Sequence, residues 1–401
     1  MDTVEILDLR KELVTRAQAL RPLLEKNAVV AEGERALPDE TFNALIEAGM
    51  LKLCKPRRYG GLEAGHRTYL DVVAELAKGC GAASWYGFIL NMTDWIVGQM
   101  HQDAQDAVWG DSPNAVTCCP LNPIPGWEAR WGKDGVTLSG EWPYTSGCGH
   151  ADWVLAGFPV LDDAGNPVDS AVALISMKDT TIKDTWYVAG MQGTGSNTVV
   201  VKDVFVPNTM IMKMSGPLSN NHPTPHKSEH MFLSDPGATF WTCVAPPVLG
   251  LAQLALELTV ERLTTKPKPI SYSFYTDSSK APSTQFAVAQ AATMIDAATL
   301  QARAACDEID AQSRTGELMA RLDRGRNIMR GANVIRLCRE ATDLLIDAQG
   351  AGSFAQVNPL QRIWRDLNTA ARHGFNSVGM KHEMYGRILL GADEQQMTPF
   401  A

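Results

Sequence analysis

Two hydroxyls set between tryptophans are the first residues in this chain that could do chemistry. In the stretch SGEWPYTSGCGHADWVLAG, residues 139–157, Thr145 and Ser146 stand between Trp142 and Trp153. Small, aromatic and hydroxyl residues alternate there before the apolar run Trp153-Val154-Leu155-Ala156, the pattern of a strand, a tight crossing and a second strand. A β segment that offers hydroxyls and rings between helical blocks suits a pocket for a large planar cofactor at a domain junction. A second hydroxyl-bearing turn, Thr194-Gly195-Ser196, precedes a strand pattern, and its glycine allows backbone to approach a ligand closely. His373 is an acid–base candidate, because an imidazole near its ordinary pKa of about 6.5 can take up or release a proton near neutrality. Asp94, in the phrase Thr93-Asp94-Trp95 and close in sequence to Trp85, Tyr86 and Phe88, could accept a proton in an aromatic pocket.

Other groups are set aside by their context. His222, His226 and His230 have a metal-like spacing, but the Pro- and Asn-rich stretch around them, Ser215 to Asp235, reads as a loop or lid, and no metal is expected. The eight cysteines contain no CxxC pair, so they fit reduced thiols in a cytoplasmic protein, with Cys148 a wall residue of the central stretch.

The elements that must carry these residues follow from periodicity. Helical spacing runs from about residue 4 to 110, through Leu13, Ala17, Leu20 and Leu24, a start at Pro38-Asp39-Glu40, and two further helices at Tyr69–Lys78 and Ala82–Met100. The period then becomes two, with strands expected at Val116–Cys118, Val136–Glu141, Val154–Phe158, Ala171–Ile175 and Val199–Val206. Helix returns at Leu251–Leu258, Gln285–Thr315, Leu318–Ala348 and Leu360–Leu390, four antiparallel bundle helices. The expectation is a helical domain over residues 1–112, a β domain over 113–232 and a four-helix bundle over 233–401.

A chain of 401 residues with 45% hydrophobic and 20% charged residues is long enough for several packed subdomains. Its net charge of −9, without clustered Lys or Arg, argues against nucleic acid or an anionic membrane surface as a partner. The N-terminus lacks the apolar core of a signal peptide.

Three phrases together resemble the acyl-CoA dehydrogenase fold, and within it the oxygenase components of two-component flavin-dependent monooxygenases. They are Trp142-Pro143-Tyr144-Thr145-Ser146-Gly147, then Asp184-Thr185-Trp186 leading through Gly190 to Gly193-Thr194-Gly195-Ser196, and Trp364-Arg365-Asp366 with His373 seven residues after the Asp. The early phrase LPDETFNALIEAGMLKLCKPRRYGG is similar to the superfamily's N-terminal domain. The commonest acyl-CoA dehydrogenases have a Glu base shortly after Arg-Asp; here LNTAARHGF follows. A dehydrogenase-like desaturase, an amine N-oxygenase and a non-catalytic flavin-binding subunit are the alternatives.

The resemblance implies reduced flavin, FADH2 or FMNH2, delivered by a separate NAD(P)H-dependent flavin reductase. It also implies O2 as co-substrate, a flavin C4a-hydroperoxide, and hydroxylation of a small aromatic such as indole or a phenol. No G-x-G-x-x-G dinucleotide fingerprint follows a strand pattern, in keeping with NAD(P)H being used elsewhere. Ser146 takes the place of the hydroxyl that contacts flavin N5, beside Thr145 and Trp142, with Thr194, Gly195 and Ser196 at the flavin edge. Arg262, Gly350 and Gly352 match residues that receive the phosphates of a flavin bound by a neighbouring subunit, so a dihedral homotetramer is implied. Thr93, Asp94, Trp95 and His373 are the implied substrate contacts, although the second His that several phenol hydroxylases carry in an H-P-W phrase is absent at Thr93-Asp94-Trp95.

Overall fold

The computed structural model describes residues 3–393 and 397. Five helices come first: α1 (Thr3–Glu34), α2 (Asp39–Glu47), α3 (His66–Ala77), α4 (Gly81–Val97) and α5 (Gln102–Trp109). On α1, Leu13, Ala17 and Leu24 are buried, the stripe that the spacing predicts. Asp39 and Glu40 occupy the first turn of α2, where the helix dipole favours acidic side chains. Every residue of α4 except Ile89 is buried, so this helix has no solvent face and its neighbours close around it.

Eight strands follow: β1 (Thr117–Cys118), β2 (Glu128–Trp131), β3 (Gly135–Trp142), β4 (Trp153–Leu161), β5 (Pro167–Ser176), β6 (Thr180–Lys183), β7 (Thr198–Pro207) and β8 (Ile211–Lys213). They form two four-stranded sheets, ordered β1-β4-β5-β8 and β2-β3-β7-β6, with β1 and β4 the parallel pair. Val136, Leu138 and Trp142 from one sheet pack on Val154, Ala156, Phe158 and Ala171 from the other, as a sandwich core requires. The short edge strands β2, β6 and β8 escaped the sequence reading, since three or four residues are too few to show a period.

The chain then returns to helix with α6 (Ser215–Leu218), α7 (Pro236–Thr242), α8 (Ala245–Thr265), α9 (Pro282–Ser313), α10 (Arg321–Gln349), α11 (Pro359–Ala370) and α12 (Val378–Leu389). The bundle docks tightly on the first helices: a Cβ at Gly250 of α8 would lie 2.0 Å from the Ala74 carbonyl oxygen of α3. The run Pro236–Thr265 is apolar and long enough to span a membrane, but 72% of its most apolar window is buried inside the molecule, as in a core helix.

Two expectations need correction. The stretch 215–235 is not plain loop, because it holds α6 and a short 3-10 turn at His230–Leu233 whose Met231 and Phe232 are buried. Leu360–Leu390 is not one helix: α11 ends at Ala370, His373 takes an extended conformation at φ −55° and ψ 147°, and α12 starts anew at Val378. His373 therefore caps a turn between helices instead of lying on one.

Candidate active site

Ser146 and the turn after Trp186 meet in a chain of buried hydroxyls. Ser146 Oγ lies 2.7 Å from Ser196 Oγ, and Ser196 Oγ lies 2.7 Å from Thr194 Oγ1. Thr194 Oγ1 donates to the Met191 carbonyl at 2.8 Å. At the other end Trp85, on α4, donates its indole N–H to Ser146 Oγ at 2.9 Å. The first two motifs are thus one constellation, held against α4, of which Ile89 alone is not buried.

Backbone geometry supports the same place. Tyr144 at φ 58°, Met191 at φ 57° and Asp203 are among the few non-glycine residues in the left-handed region, and the first two flank the hydroxyl chain. Met191 is kept there by the third motif: Asp366 of α11 accepts its backbone N–H. Burial raises the Asp366 pKa to about 6. Gly190 could carry no side chain, since a Cβ would lie 2.2 Å from the Arg365 carbonyl oxygen, and one at Gly193 would lie 2.7 Å from Ala31 Cβ. Gly195, at φ 52°, sits in a left-handed turn that favours glycine.

His373 joins the constellation through rings. Its imidazole meets Trp85 at 5.6 Å, Phe88 at 5.9 Å and Phe375 at 5.6 Å between centroids. Nδ1 accepts the Phe375 backbone N–H at 3.3 Å, so the neutral ring carries its proton on Nε2. Burial, with a smaller contribution from Lys381, lowers the His373 pKa to about 4. Lys381 is itself buried and donates to the Trp241 carbonyl at 2.7 Å. With Nδ1 engaged by the turn, the neutral imidazole presents Nε2–H as a hydrogen-bond donor.

Several expected residues lie elsewhere. Trp142 is fully buried in the sandwich core and donates to the Gly157 carbonyl at 2.7 Å, so its indole ties the two sheets together. Thr145 is fully buried, with its hydroxyl on the Trp142 carbonyl at 2.8 Å and its N–H on Asn197 O at 3.0 Å; it closes the turn that presents Ser146. Thr93 bonds back to the Ile89 carbonyl at 2.8 Å, and Trp95 donates to Met231 O at 2.9 Å and Ser234 Oγ at 3.0 Å. Asp94 is nine residues beyond Trp85 on α4, about 180° around the helix at about 100° per residue. It is 2% exposed, feels Lys55, and has no hydrogen-bond partner for either carboxylate oxygen among the described residues. Burial raises the Asp94 pKa to about 7. Cys148 is a buried wall residue, its thiol 3.5 Å from the Gly195 carbonyl and its pKa pushed up to about 11 by burial.

Arg262, Gly350 and Gly352 form a separate group at the far end of the bundle. Gln349, just before Gly350, donates to Thr259 at 2.9 Å, one helical turn before Arg262 on α8. The Arg262 backbone carbonyl accepts the Lys266 N–H at 3.0 Å, while its guanidinium has no hydrogen-bond or ion-pair partner among the described residues. Gly350 adopts φ 66° and ψ −163°, a conformation essentially confined to glycine, and Cβ atoms at Gly350 and Gly352 would meet only open space. An open glycine turn beside an unpaired guanidinium fits a phosphate group.

Sequence reasoning missed Trp85 as a hydrogen-bond donor, Met191 as the acceptor that ends the chain, and Asp366 as its anchor. The helical position of Trp85, exposed to Ser146 only after folding, left no local signal. Met191 carried one weak sign, a place between two required glycines.

Comparison with known proteins places the fold in a family. The family descriptions "Acyl-CoA dehydrogenase, N-terminal domain" and "Acyl-CoA dehydrogenase, C-terminal domain" match residues 12–109 and 242–378. The flavin-dependent monooxygenase oxygenase subunit HsaA of Rhodococcus jostii (strain RHA1) is 32% identical over 380 residues, spanning 92% of this chain and 96% of the relative. The oxygenase component of an FADH(2)-dependent resorcinol hydroxylase from Rhizobium sp. (strain MTP-10005) is 29% identical, spanning 95% and 94%. The solved structure of XiaF from Streptomyces sp. in complex with FADH2 and glycerol has a TM-score of 0.89 and 32% identity over 98% of each chain. The chain belongs to the flavin-dependent monooxygenases built on the acyl-CoA dehydrogenase fold, as an oxygenase component of the two-component kind.

Proposed function

We propose that this chain binds reduced flavin supplied by a separate NAD(P)H-dependent reductase and, with O2, hydroxylates a small aromatic, a phenol or an indole. The observation that carries the reading is the position of Trp85, which touches both halves of the site: its N–H holds Ser146, and its ring packs against His373. Ser146 accepts one hydrogen bond there and retains a lone pair for flavin N5. Bound reduced flavin supplies the activation of O2. The protein's own part is placement and the exclusion of water.

His373 Nε2–H is the donor for the substrate oxygen: it favours a phenol bound as its phenolate, whose proton has gone to solvent, and does not itself take up a proton. Phe88 and Phe375 supply the apolar sides of an aromatic pocket. Arg262, Gly350 and Gly352, remote from Ser146 in this chain, are assigned to the flavin phosphates of a neighbouring subunit, which calls for a homotetramer of dihedral symmetry. All eight cysteines are unpaired, in keeping with the cytoplasm. The curated relatives named for resorcinol, p-hydroxyphenylacetate and indole-3-acetate support an aromatic substrate.

The test is product analysis under 18O2 with the chain, a flavin reductase, NADH, FAD and a panel of phenols and indoles. One labelled oxygen in the product, with none formed when the reductase is left out, is the expected result. Reduction of bound FAD by an acyl thioester, with no labelled product from any aromatic, would replace the reading with a dehydrogenase.

A further inference from the structure

The hydroxyl chain has a direction. The Met191 carbonyl can only accept; besides Thr194 Oγ1 at 2.8 Å it takes the Trp186 indole N–H and the Thr194 N–H, both at 3.1 Å. Thr194 has one hydroxyl proton, and the carbonyl takes it. At 2.7 Å Thr194 Oγ1 must then accept from Ser196, which leaves Ser196 Oγ to accept from Ser146 at 2.7 Å. The Trp85 indole at the opposite end can only donate, and it does so to Ser146 at 2.9 Å. An acceptor-only end and a donor-only end impose the same order, Trp85 to Ser146 to Ser196 to Thr194 to Met191. Ser146 is 7% exposed, Ser196 3% and Thr194 1%, so solvent offers these protons little alternative.

We propose that this one-way chain, by committing the Ser146 proton to Ser196, leaves Ser146 Oγ able only to accept from a flavin, and that Trp85, Ser196 and Thr194 are positioning residues that select flavin bearing a proton on N5, the reduced form, over oxidised flavin. The proposal rests on the placement of flavin N5 at Ser146 given above. Reduced flavin has an N5–H that donates into the remaining lone pair of Ser146. Oxidised flavin has a lone pair at N5, so Ser146 must either oppose it or turn its own proton away from Ser196. Either arrangement forfeits one buried hydrogen bond, a discrimination of about threefold to tenfold. The consequence suits a protein that receives flavin reduced and must release it oxidised.

The test is anaerobic titration of the full chain with dithionite-reduced FAD and, separately, titration with oxidised FAD, giving the ratio of the two dissociation constants. The midpoint potential of bound FAD provides the same ratio independently, at about 30 mV per tenfold for a two-electron couple. Ser196→Ala is expected to lower the preference for reduced FAD by about threefold to tenfold, chiefly by tightening oxidised FAD, because the Ser146 proton becomes free to turn to N5. Thr194→Val should act in the same direction, since the Ser196 proton can then turn onto Ser146, whereas Thr194→Ser keeps the hydroxyl and should keep the wild-type ratio. If both affinities fall together in Ser196→Ala and Thr194→Val with their ratio unchanged, the residues are structural and the proposal is overturned, while the placement of flavin at Ser146 stands. If Ser146→Ala changes neither affinity, the placement itself is wrong and the selection mechanism goes with it.

Discussion

Asp366 accepts the backbone N–H of Met191, and through that bond the last helices of the bundle hold the turn that ends the hydroxyl chain. The three phrases that stand far apart in sequence are therefore one structure. Ser146 bonds Ser196, Thr194 bonds the Met191 carbonyl, and Asp366 fixes the Met191 amide.

Removing the Asp366 anchor should register in both stability and binding. Asp366→Ala leaves a backbone N–H without its acceptor and is expected to destabilise the fold by about 1–3 kcal/mol in urea denaturation. It should also weaken reduced-FAD binding, because Met191 is no longer pinned in its left-handed conformation. Asp366→Asn retains an acceptor oxygen and should lose much less of either. Equal loss in both variants would show that charge, not the hydrogen bond, is what the site needs from Asp366.

The layers and the motifs were legible because each has a period or a phrase. The leucine stripe of α1, the alternating strands around Trp142 and the Trp364-Arg365-Asp366 phrase all survive folding as read. What a residue faces was less legible. Trp142 was placed beside the cofactor for its aromatic character, but the alternation of β3 turns it into the sandwich core. The resemblance singles out Asp94 through the Thr93-Asp94-Trp95 phrase, and nine residues along a helix from Trp85 amount to half a revolution beyond two turns. That phase could have been read from spacing alone. The break at His373 could not, since Gly374 gives only a hint and the extended His373 backbone is set by the turn that its own ring closes.

Asp94 can be tested apart from the hydroxyl chain. Its carboxyl has a pKa near 7 in the folded chain, above the ordinary 3.8, so the native state keeps a proton that the unfolded chain releases. This group therefore favours folding fully below about pH 4, and its contribution is lost as pH rises toward 7. Asp94→Asn removes the buried charge and is expected to be more stable than wild type by about 1–4 kcal/mol at pH 8, with no advantage near pH 4. Aromatic hydroxylation should continue at a rate within about twofold of wild type. Loss of turnover without loss of reduced-FAD binding would assign Asp94 to the substrate.

His373 gives the complementary pH argument. Its pKa of about 4 lies below the ordinary 6.5, so folding is favoured by this group above about pH 6.5 and the contribution is lost as pH falls toward 4. A neutral Nε2–H donor predicts that kcat/KM for a phenol stays flat from about pH 6 to 8 on account of His373, without the limb near 6.5 that an ordinary catalytic imidazole produces. His373→Asn offers a side chain that can still accept the Phe375 N–H, so the turn before α12 should form. It withdraws the ring and its Nε2–H from the wall made by Trp85 and Phe88, and kcat/KM should fall by about 10²-fold or more. The same variant should bind reduced FAD nearly as wild type does, because Ser146 and its partners are untouched. A limb near pH 6.5 in the wild-type profile that disappears in His373→Asn would instead make His373 a proton acceptor, with the Nδ1 bond to Phe375 broken when substrate binds.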